Sequence, residues 1–167
     1  MVFESFKEMN KKEKEFNSIC PAGRNDWRQW LKANHLKEQS VWLICYKKDS
    51  AFPTISHSEA VDEALCYGWI DSTRKTLDKD RFMQYFCKRK PGSVWSKINK
   101  GKVKRLIKDG LMMPAGLKSV NIAKQNGSWT ILDEVEEVKI PQDLTLEFKC
   151  YPGAKTFFLS LSRSAQK

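Results

Sequence analysis

The segment EALCYGWIDSTRK, Glu63 to Lys75, decides the fold because a helix changes into a strand within it. Upstream, Ser56 to Glu59 reads S-x-x-E, the capping box that satisfies free backbone N–H groups at the start of a helix. We predict that this helix ends where Gly68 takes the left-handed conformation that commonly closes helices. The β-branched and aromatic residues from Trp69 onward then predict a strand.

Further elements are predicted on both sides of this segment. SVWLICYKK, 40–48, indicates a buried strand, and a short polar loop joins WIDSTRKT, 69–76, to RFMQYFCK, 81–88, as in a hairpin. SWTILDEVEEVKIPQD, 128–143, is expected to be an acidic linker. The fold class is therefore α+β, a small antiparallel sheet of about three strands packed with several helices in a single domain. Besides the helix that starts at Ser56, helices are predicted at 25–35, from a Ser93 cap to Gly110, at 115–125, and from about Leu144 and Pro152.

Length and composition limit the class of protein. The 167 residues fit a charged lead-in at 1–22 and one domain at 23–167. Hydrophobic residues make up 41% and charged residues 30%, as in ordinary globular proteins. With no apolar run long enough to span a bilayer and no secretory signal pattern, we expect a cytoplasmic protein without membrane insertion. Five cysteines lacking a C-x-x-C pair predict reduced thiols and no metal site, and the net charge of +10 favours anionic partners.

Two residues of the opening segment have both a chemical and a structural interpretation. A reactive cysteine needs a nearby cation, histidine or helix N-terminus, but Cys66 lies near a predicted helix C-terminus, which favours a buried structural thiol. Strand alternation places Asp71 on the face opposite Arg74. Its carboxylate needs a partner, which Arg74, Arg81 or a backbone turn would provide. The result would be either a structural ion pair or turn anchor, or part of a binding site.

The basic turn KRKPGSVWS, Lys88 to Ser96, is the second candidate feature. Three cations lead into a Ser93-capped helix, whose free N–H groups suit a phosphate or carboxylate, although the turn lacks the P-loop pattern. A solvated basic turn with an ordinary cap is the alternative. Residues 88–108 contain nine Lys or Arg, no acid and the aromatic Trp95, so a nucleic-acid-binding surface also stays open.

Three stretches together resemble a known family. WLICYKK, EALCYGWIDSTRK and LDKDRFMQYFCKRKPGSVWSKINKGKVKRLIKDGLMMPAG are similar to the YdeI/OmpD-associated (OmdA) family, often labelled bacteriocin-protection proteins. The resemblance covers about residues 24–125 and continues more loosely through PGAKTFFLSLSRSAQK. It implies a role in resistance to bacteriocins or antimicrobial peptides and association with an outer-membrane porin, and it implies no reaction. The matching positions are Cys66, Gly68, Trp69, Asp71, Arg81, Arg89, Pro91, Ser93, Trp95, Ser96 and Asn99.

These observations favour a cytoplasmic accessory protein that binds a small anion or an acidic protein segment, without a cofactor or metal. We expect the basic cleft to form where the Gly68 turn, the hairpin and the Ser93 helix start meet. The alternatives are a small hydrolase-like enzyme that uses Asp71 or Cys66, and a nucleic-acid-binding module. The expected ligand-binding residues are Asp71, Arg74, Arg81, Arg89, Ser93, Trp95, Ser96 and Asn99.

Overall fold

The computed structural model describes residues 17–47, 50, 52 and 55–166. Within them the chain forms one mixed four-stranded sheet and seven helices, which confirms the α+β class. Residues 1–16 of the expected lead-in lie outside the described residues. The strands are β1 (Ser18–Ile19), β2 (Ser40–Tyr46), β3 (Trp69–Thr76) and β4 (Arg81–Lys88). The helices are α1 (Arg24–Asn34), α2 (His57–Cys66), α3 (Lys97–Lys108), α4 (Pro114–Gln125), α5 (Asp133–Glu136), α6 (Gln142–Cys150) and α7 (Ala154–Ser160).

The sheet has the order β1-β2-β4-β3. β4 pairs antiparallel with both β2 and β3, as the hairpin pattern predicts. β1 adds a fourth strand that runs parallel to β2, so the expected three-stranded, purely antiparallel sheet is corrected. Two residues are too few to show the alternation by which a strand is identified. β1 also lies within the segment that was expected to precede the domain.

β3 contains a bulge that changes the direction of its later side chains. Asp71 pairs with Phe86 and Arg74 with Gln84, so three steps along β3 match two along β4. Residues that face each other across a ladder share one side of the sheet, and Asp71 and Arg74 therefore lie on the same side. The prediction that they lie on opposite faces was wrong because one extra residue reverses the alternation. Gln84 is buried and donates through Nε2 to the carbonyl of Ser72 within the bulge, 3.0 Å away.

The capping box and the glycine stop of α2 are both confirmed. Ser56 Oγ accepts from the backbone N–H of Glu59 at 3.3 Å, and Glu59 Oε2 accepts from the backbone N–H of Ser56 at 3.1 Å. α2 ends at Cys66, and Gly68 has φ +75°. A Cβ on Gly68 would lie 2.9 Å from the carbonyl oxygen of Ala115 in α4. α2 and α4 are therefore in close backbone contact at this turn.

α2 is the central helix, and two adjacent acids hold it to its neighbours. Glu63 is buried and accepts from Arg24 and Arg28 of α1, each at 2.5 Å. Asp62 is buried on the other flank and pairs with Lys102, at 2.7 Å, and Arg105 of α3. The aliphatic side of α2 packs into a core formed with α1, the sheet, α3 and α4. Its largest members are Trp27, Trp69, Trp95, Phe86, Leu31, Leu43, Leu65 and Leu106.

The helix after the basic turn starts later than predicted. Ser96 is its N-cap and accepts from the backbone N–H of Asn99 at 3.2 Å, whereas the backbone N–H of Ser93 donates to the Lys90 carbonyl within the turn. Trp95 is 1% exposed, and the chain remains non-helical through it so that this ring enters the core. The prediction that Ser93 is the N-cap was therefore wrong, and Ser96 has that role.

The C-terminal part consists of short helices with little packing. Residues 128–143, expected to be a linker, include α5, and the two C-terminal helices are confirmed with starts at Gln142 and Ala154. From residue 129 to residue 166 none is fully buried. In the part of the chain that the structure describes, no helix is both long enough and apolar enough to cross a membrane.

Candidate functional site

The structure does not bring the three predicted arginines together. Arg81 begins β4, is 6% exposed and donates through Nε to Asp78 Oδ2 at 2.8 Å. Arg89 follows the other end of β4, which places the two residues roughly 25 Å apart along an extended strand. Arg81 therefore anchors the hairpin turn and lies outside any cleft that contains Arg89.

Asp71 and Arg74 lie near His57. The His57 Nε2 and Asp71 Oδ2 atoms are 2.8 Å apart, and the side chains are 52% and 22% exposed. The Arg74 guanidinium lies 3.6 Å from the centre of the Phe82 ring. Arg74 and His57 line one cavity of ≈ 370 Å³ with Lys47 and Glu59. Asp71 is therefore hydrogen-bonded to a histidine and not to Arg74 or Arg81, while its negative charge acts on Arg89.

Arg89 lies where the basic turn leaves the sheet. Its backbone N–H donates to the Gly68 carbonyl at 2.9 Å, its Nη2 donates to the Val94 carbonyl at 2.5 Å, and its guanidinium lies 3.6 Å from the Trp95 ring centre. Its Nε and Nη1 atoms are buried and have no hydrogen-bond partner among the described residues. Burial lowers the pKa of Arg89 to about 10. A buried cation with unsatisfied donors is costly, and such groups usually bind a water or an ion.

Arg89 lines a cavity of ≈ 340 Å³ beside the Gly68 turn, which we call the Gly68 pocket. Its cations are Lys88, Arg89, Lys90 and Lys118, and no acidic residue is among the residues that line it. Lys88 Nζ donates to the Leu36 carbonyl at 2.9 Å, whereas Lys90 and Lys118 are exposed. The other lining residues are His35, Leu36, Tyr67, Gly68, Trp69, Pro91, Ala115, Ser119 and Ile122.

The remaining predicted site residues do not line the Gly68 pocket. Trp95 is the surface on which Arg89 stacks, Ser96 caps α3, and Asn99 supplies the backbone N–H to that cap. The serine-capped helix end was expected to bind an anion. Its cap N–H is instead satisfied by Ser96, and Ser93 closes the preceding turn.

Sequence reasoning missed His35 and Lys118. His35 Nδ1 donates to the Leu31 carbonyl at 2.9 Å, which leaves Nε2 free of that bond at the edge of the pocket. Lys118 lines the pocket because α4 packs tightly on the end of α2. At this contact a Cβ on Gly116 would overlap the Cys66 carbonyl. A glycine inside the predicted helix at 115–125 was the available signal for this close approach.

Cys66 does not have the properties of a nucleophile. It is fully buried, and burial raises the pKa of its thiol to about 11. Because the thiolate is the reactive form, the neutral thiol at physiological pH is inert. The hydrolase alternative therefore depends on Asp71 alone. No group of three or more His, Cys, Asp or Glu suited to a metal occurs among the described residues.

Residues 19–119 match the model of a family described as a domain of unknown function, DUF8412. The match spans β1 to the first half of α4 and therefore includes most of the Gly68 pocket. No curated protein and no solved structure matches the chain.

Proposed function

The chain belongs to the DUF8412 family, a domain of unknown function, and we propose from its own geometry that it is an accessory protein that binds anions in the Gly68 pocket. The observation that carries the proposal is the set of four cations around one cavity with no acid among its lining residues. A cavity of one charge sign over apolar walls concentrates ligands of the opposite charge. A small anion or the acidic end of a protein segment fits this description.

Arg89 gives the proposal its specific chemistry. Its two buried nitrogen atoms without a partner, Nε and Nη1, would donate to an oxyanion, or to a water held between that oxyanion and the guanidinium. Trp95 fixes the plane of the guanidinium, so the donor directions are set before a ligand arrives. Lys90 and Lys118 then supply mobile charges at the rim.

The resemblance to the YdeI/OmpD-associated family supplies the proposed setting, which is cytoplasmic resistance to bacteriocins or antimicrobial peptides. A net charge of +10 attracts anionic partners and repels cationic ones. We therefore place the proposed role in recognition of an acidic partner or anionic metabolite. Direct capture of a cationic peptide does not fit this charge.

Titration with inorganic phosphate tests the pocket. We expect calorimetry to show binding to the wild-type protein, and the melting temperature to rise with phosphate because a ligand of the native state stabilises it. The double variant Lys90→Gln, Lys118→Gln removes two charged hydrogen-bond donors. Its affinity should fall at least about tenfold, since one such bond contributes about 1.5 kcal/mol or more.

The matched control is Lys32→Gln, Lys37→Gln, which removes the same charge from exposed positions in and after α1. This control should bind phosphate like the wild type. An equal loss of phosphate affinity in both double variants would show that net charge, and not the Gly68 pocket, determines binding. Absence of binding to phosphate and to an acidic peptide would contradict the proposed function.

The His57–Asp71 contact favours a second candidate, a hydrolytic enzyme. A carboxylate that holds one ring nitrogen of a histidine orients the other nitrogen to accept a proton from water. Arg74 lies in the same cavity and would stabilise negative charge that develops on a substrate.

Hydrolysis of 4-nitrophenyl acetate and 4-nitrophenyl phosphate at pH 7 to 8 tests this candidate. Turnover by the wild type should fall about a hundredfold or more in His57→Gln and in Asp71→Asn, as is usual when a general base is lost. Cys66→Ser should keep the wild-type rate. If the wild type hydrolyses both esters no faster than buffer alone, the His57–Asp71 pair is a structural contact and not a catalytic one.

A further inference from the structure

A second basic cavity lies on the side of α4 away from the Gly68 pocket. It has a volume of ≈ 440 Å³ and runs between α3 and α4, and we call it the α3–α4 groove. Four lysines line it, namely Lys97, Lys100 and Lys104 of α3 and Lys124 of α4. The other lining residues are Gly101, Val103, Ile107, Val120 and Trp129. The groove therefore combines cations with an apolar floor and an aromatic wall.

Three of the four lysines have no ion-pair partner among the described residues. Lys100 pairs with Asp133 of α5. Lys97, Lys104 and Lys124 are exposed. Lys97 and Lys104 are seven residues apart, roughly 10 Å along the helix. A row of positive charge of this kind is suited to the phosphates of a nucleic-acid strand.

Trp129 supplies an aromatic surface within the same groove. It is partly buried and packs against Trp95, with ring centres 5.0 Å apart. The ammonium groups of Lys100 and Lys124 lie 5.7 and 5.5 Å from its ring centre. Proteins that bind single strands place aromatic side chains beside a basic track, because every base can stack on a ring.

Gly101 is the feature that the fold does not explain. It lies inside α3, where a glycine costs about 1 kcal/mol of stability relative to alanine. A Cβ at this position would meet no atom within 4 Å, so packing does not require a glycine. The missing side chain keeps the floor of the α3–α4 groove open between Lys97 and Lys104.

We propose that the α3–α4 groove binds single-stranded nucleic acid, with phosphates on Lys97, Lys104 and Lys124 and a base against Trp129. The aromatic wall favours this ligand over an acidic peptide, for which lysines alone would suffice. The proposal concerns a different cavity from the Gly68 pocket and does not depend on the function proposed there.

The test is fluorescence anisotropy of a labelled twelve-residue oligothymidylate titrated with the full chain at several salt concentrations. The triple variant Lys97→Gln, Lys104→Gln, Lys124→Gln should weaken binding at least about tenfold. Its salt dependence should also be shallower by about two units of log affinity per log salt, since each phosphate contact to a single strand contributes about 0.7. Gly101→Gln should melt at or above the wild-type temperature. It should nevertheless bind the oligonucleotide less tightly than the wild type, because its side chain fills the groove.

Two matched controls keep the test specific. Lys32→Gln, Lys37→Gln, Lys155→Gln removes three exposed lysines outside the groove and should keep the wild-type affinity and salt slope. Lys90→Gln, Lys118→Gln removes two charges at the Gly68 pocket and should weaken oligonucleotide binding less than the triple variant of the α3–α4 groove. Equal weakening by the Lys32 triple variant, full binding by Gly101→Gln, or equal affinity for a poly-glutamate peptide of the same charge would each overturn the proposal.

Discussion

At the scale of single residues, acids determine how the helices are held, and one serine determines where α2 begins. Glu63 and Asp62 are adjacent in sequence but pair with different helices, which makes them obligatory partners for two arginines of α1 and two cations of α3. The capping box of Ser56 and Glu59 could be predicted from the sequence because its spacing is local. The ion pairs of Glu63 could not, since their arginines lie more than 30 residues upstream.

The cap makes a pH-dependent contribution to stability. Ser56→Ala should lower the free energy of unfolding by about 1 kcal/mol at pH 7, the usual loss for an N-cap serine. Hydrogen bonds from the Ser56 hydroxyl and backbone lower the pKa of Glu59 below its ordinary value of 4.5. A group with a depressed folded pKa stabilises the protein above its unfolded pKa and loses that contribution as the pH falls through the folded pKa.

The difference in stability between wild type and Ser56→Ala should therefore shrink as the pH falls below about 4.5. Urea unfolding at pH 7, 5 and 3.5 measures it. In Glu59→Gln the effect of Ser56→Ala should not change with pH over this range. A stability difference between wild type and Ser56→Ala that grows as the pH falls would contradict this account of the cap.

At the scale of helices and strands, local sequence patterns predicted the elements. Features that depend on tertiary packing were not predicted. The bounds 69–76 and 81–88 of the hairpin are the same in the structure as in the sequence analysis. The bulge was missed because Gln84, which satisfies its free carbonyl, belongs to the partner strand. The start of α3 was missed because burial of Trp95 decides between two serines, and burial depends on packing against Trp129.

Two helical glycines should respond in opposite directions to alanine. Gly101→Ala should raise the free energy of unfolding by about 1 kcal/mol, because the new Cβ meets nothing and helix propensity improves. Gly116→Ala should lower it by about 1 to 3 kcal/mol, because its Cβ would overlap the backbone at the end of α2 and force the helices apart. Chemical denaturation of both variants measures the changes. Changes of the same sign would contradict a close backbone contact between α2 and α4.

At the scale of the whole molecule, the positive charge is concentrated around α4. The Gly68 pocket lies on one side of this helix and the α3–α4 groove on the other, and seven different lysines and one arginine line them. Composition alone predicted an anionic partner, and the basic run at 88–108 contains six of these eight cations. The rest of each site needs α4 to pack beside α2 and α3, and a single sequence contains no direct measure of that packing. The acidic stretch at 133–137 neutralises only Lys100 within these cavities.

The position of β3 at one border of the sheet has a consequence for how the molecule behaves at high concentration. An open strand border with regular hydrogen-bonding groups is a template onto which another copy can add, the first step towards fibres. In β3 the extra residue between Asp71 and Arg74 interrupts that row, and the exposed Arg74 and Lys75 place like charges along it. The irregularity that redirects these side chains thus also protects the protein from self-association through its sheet.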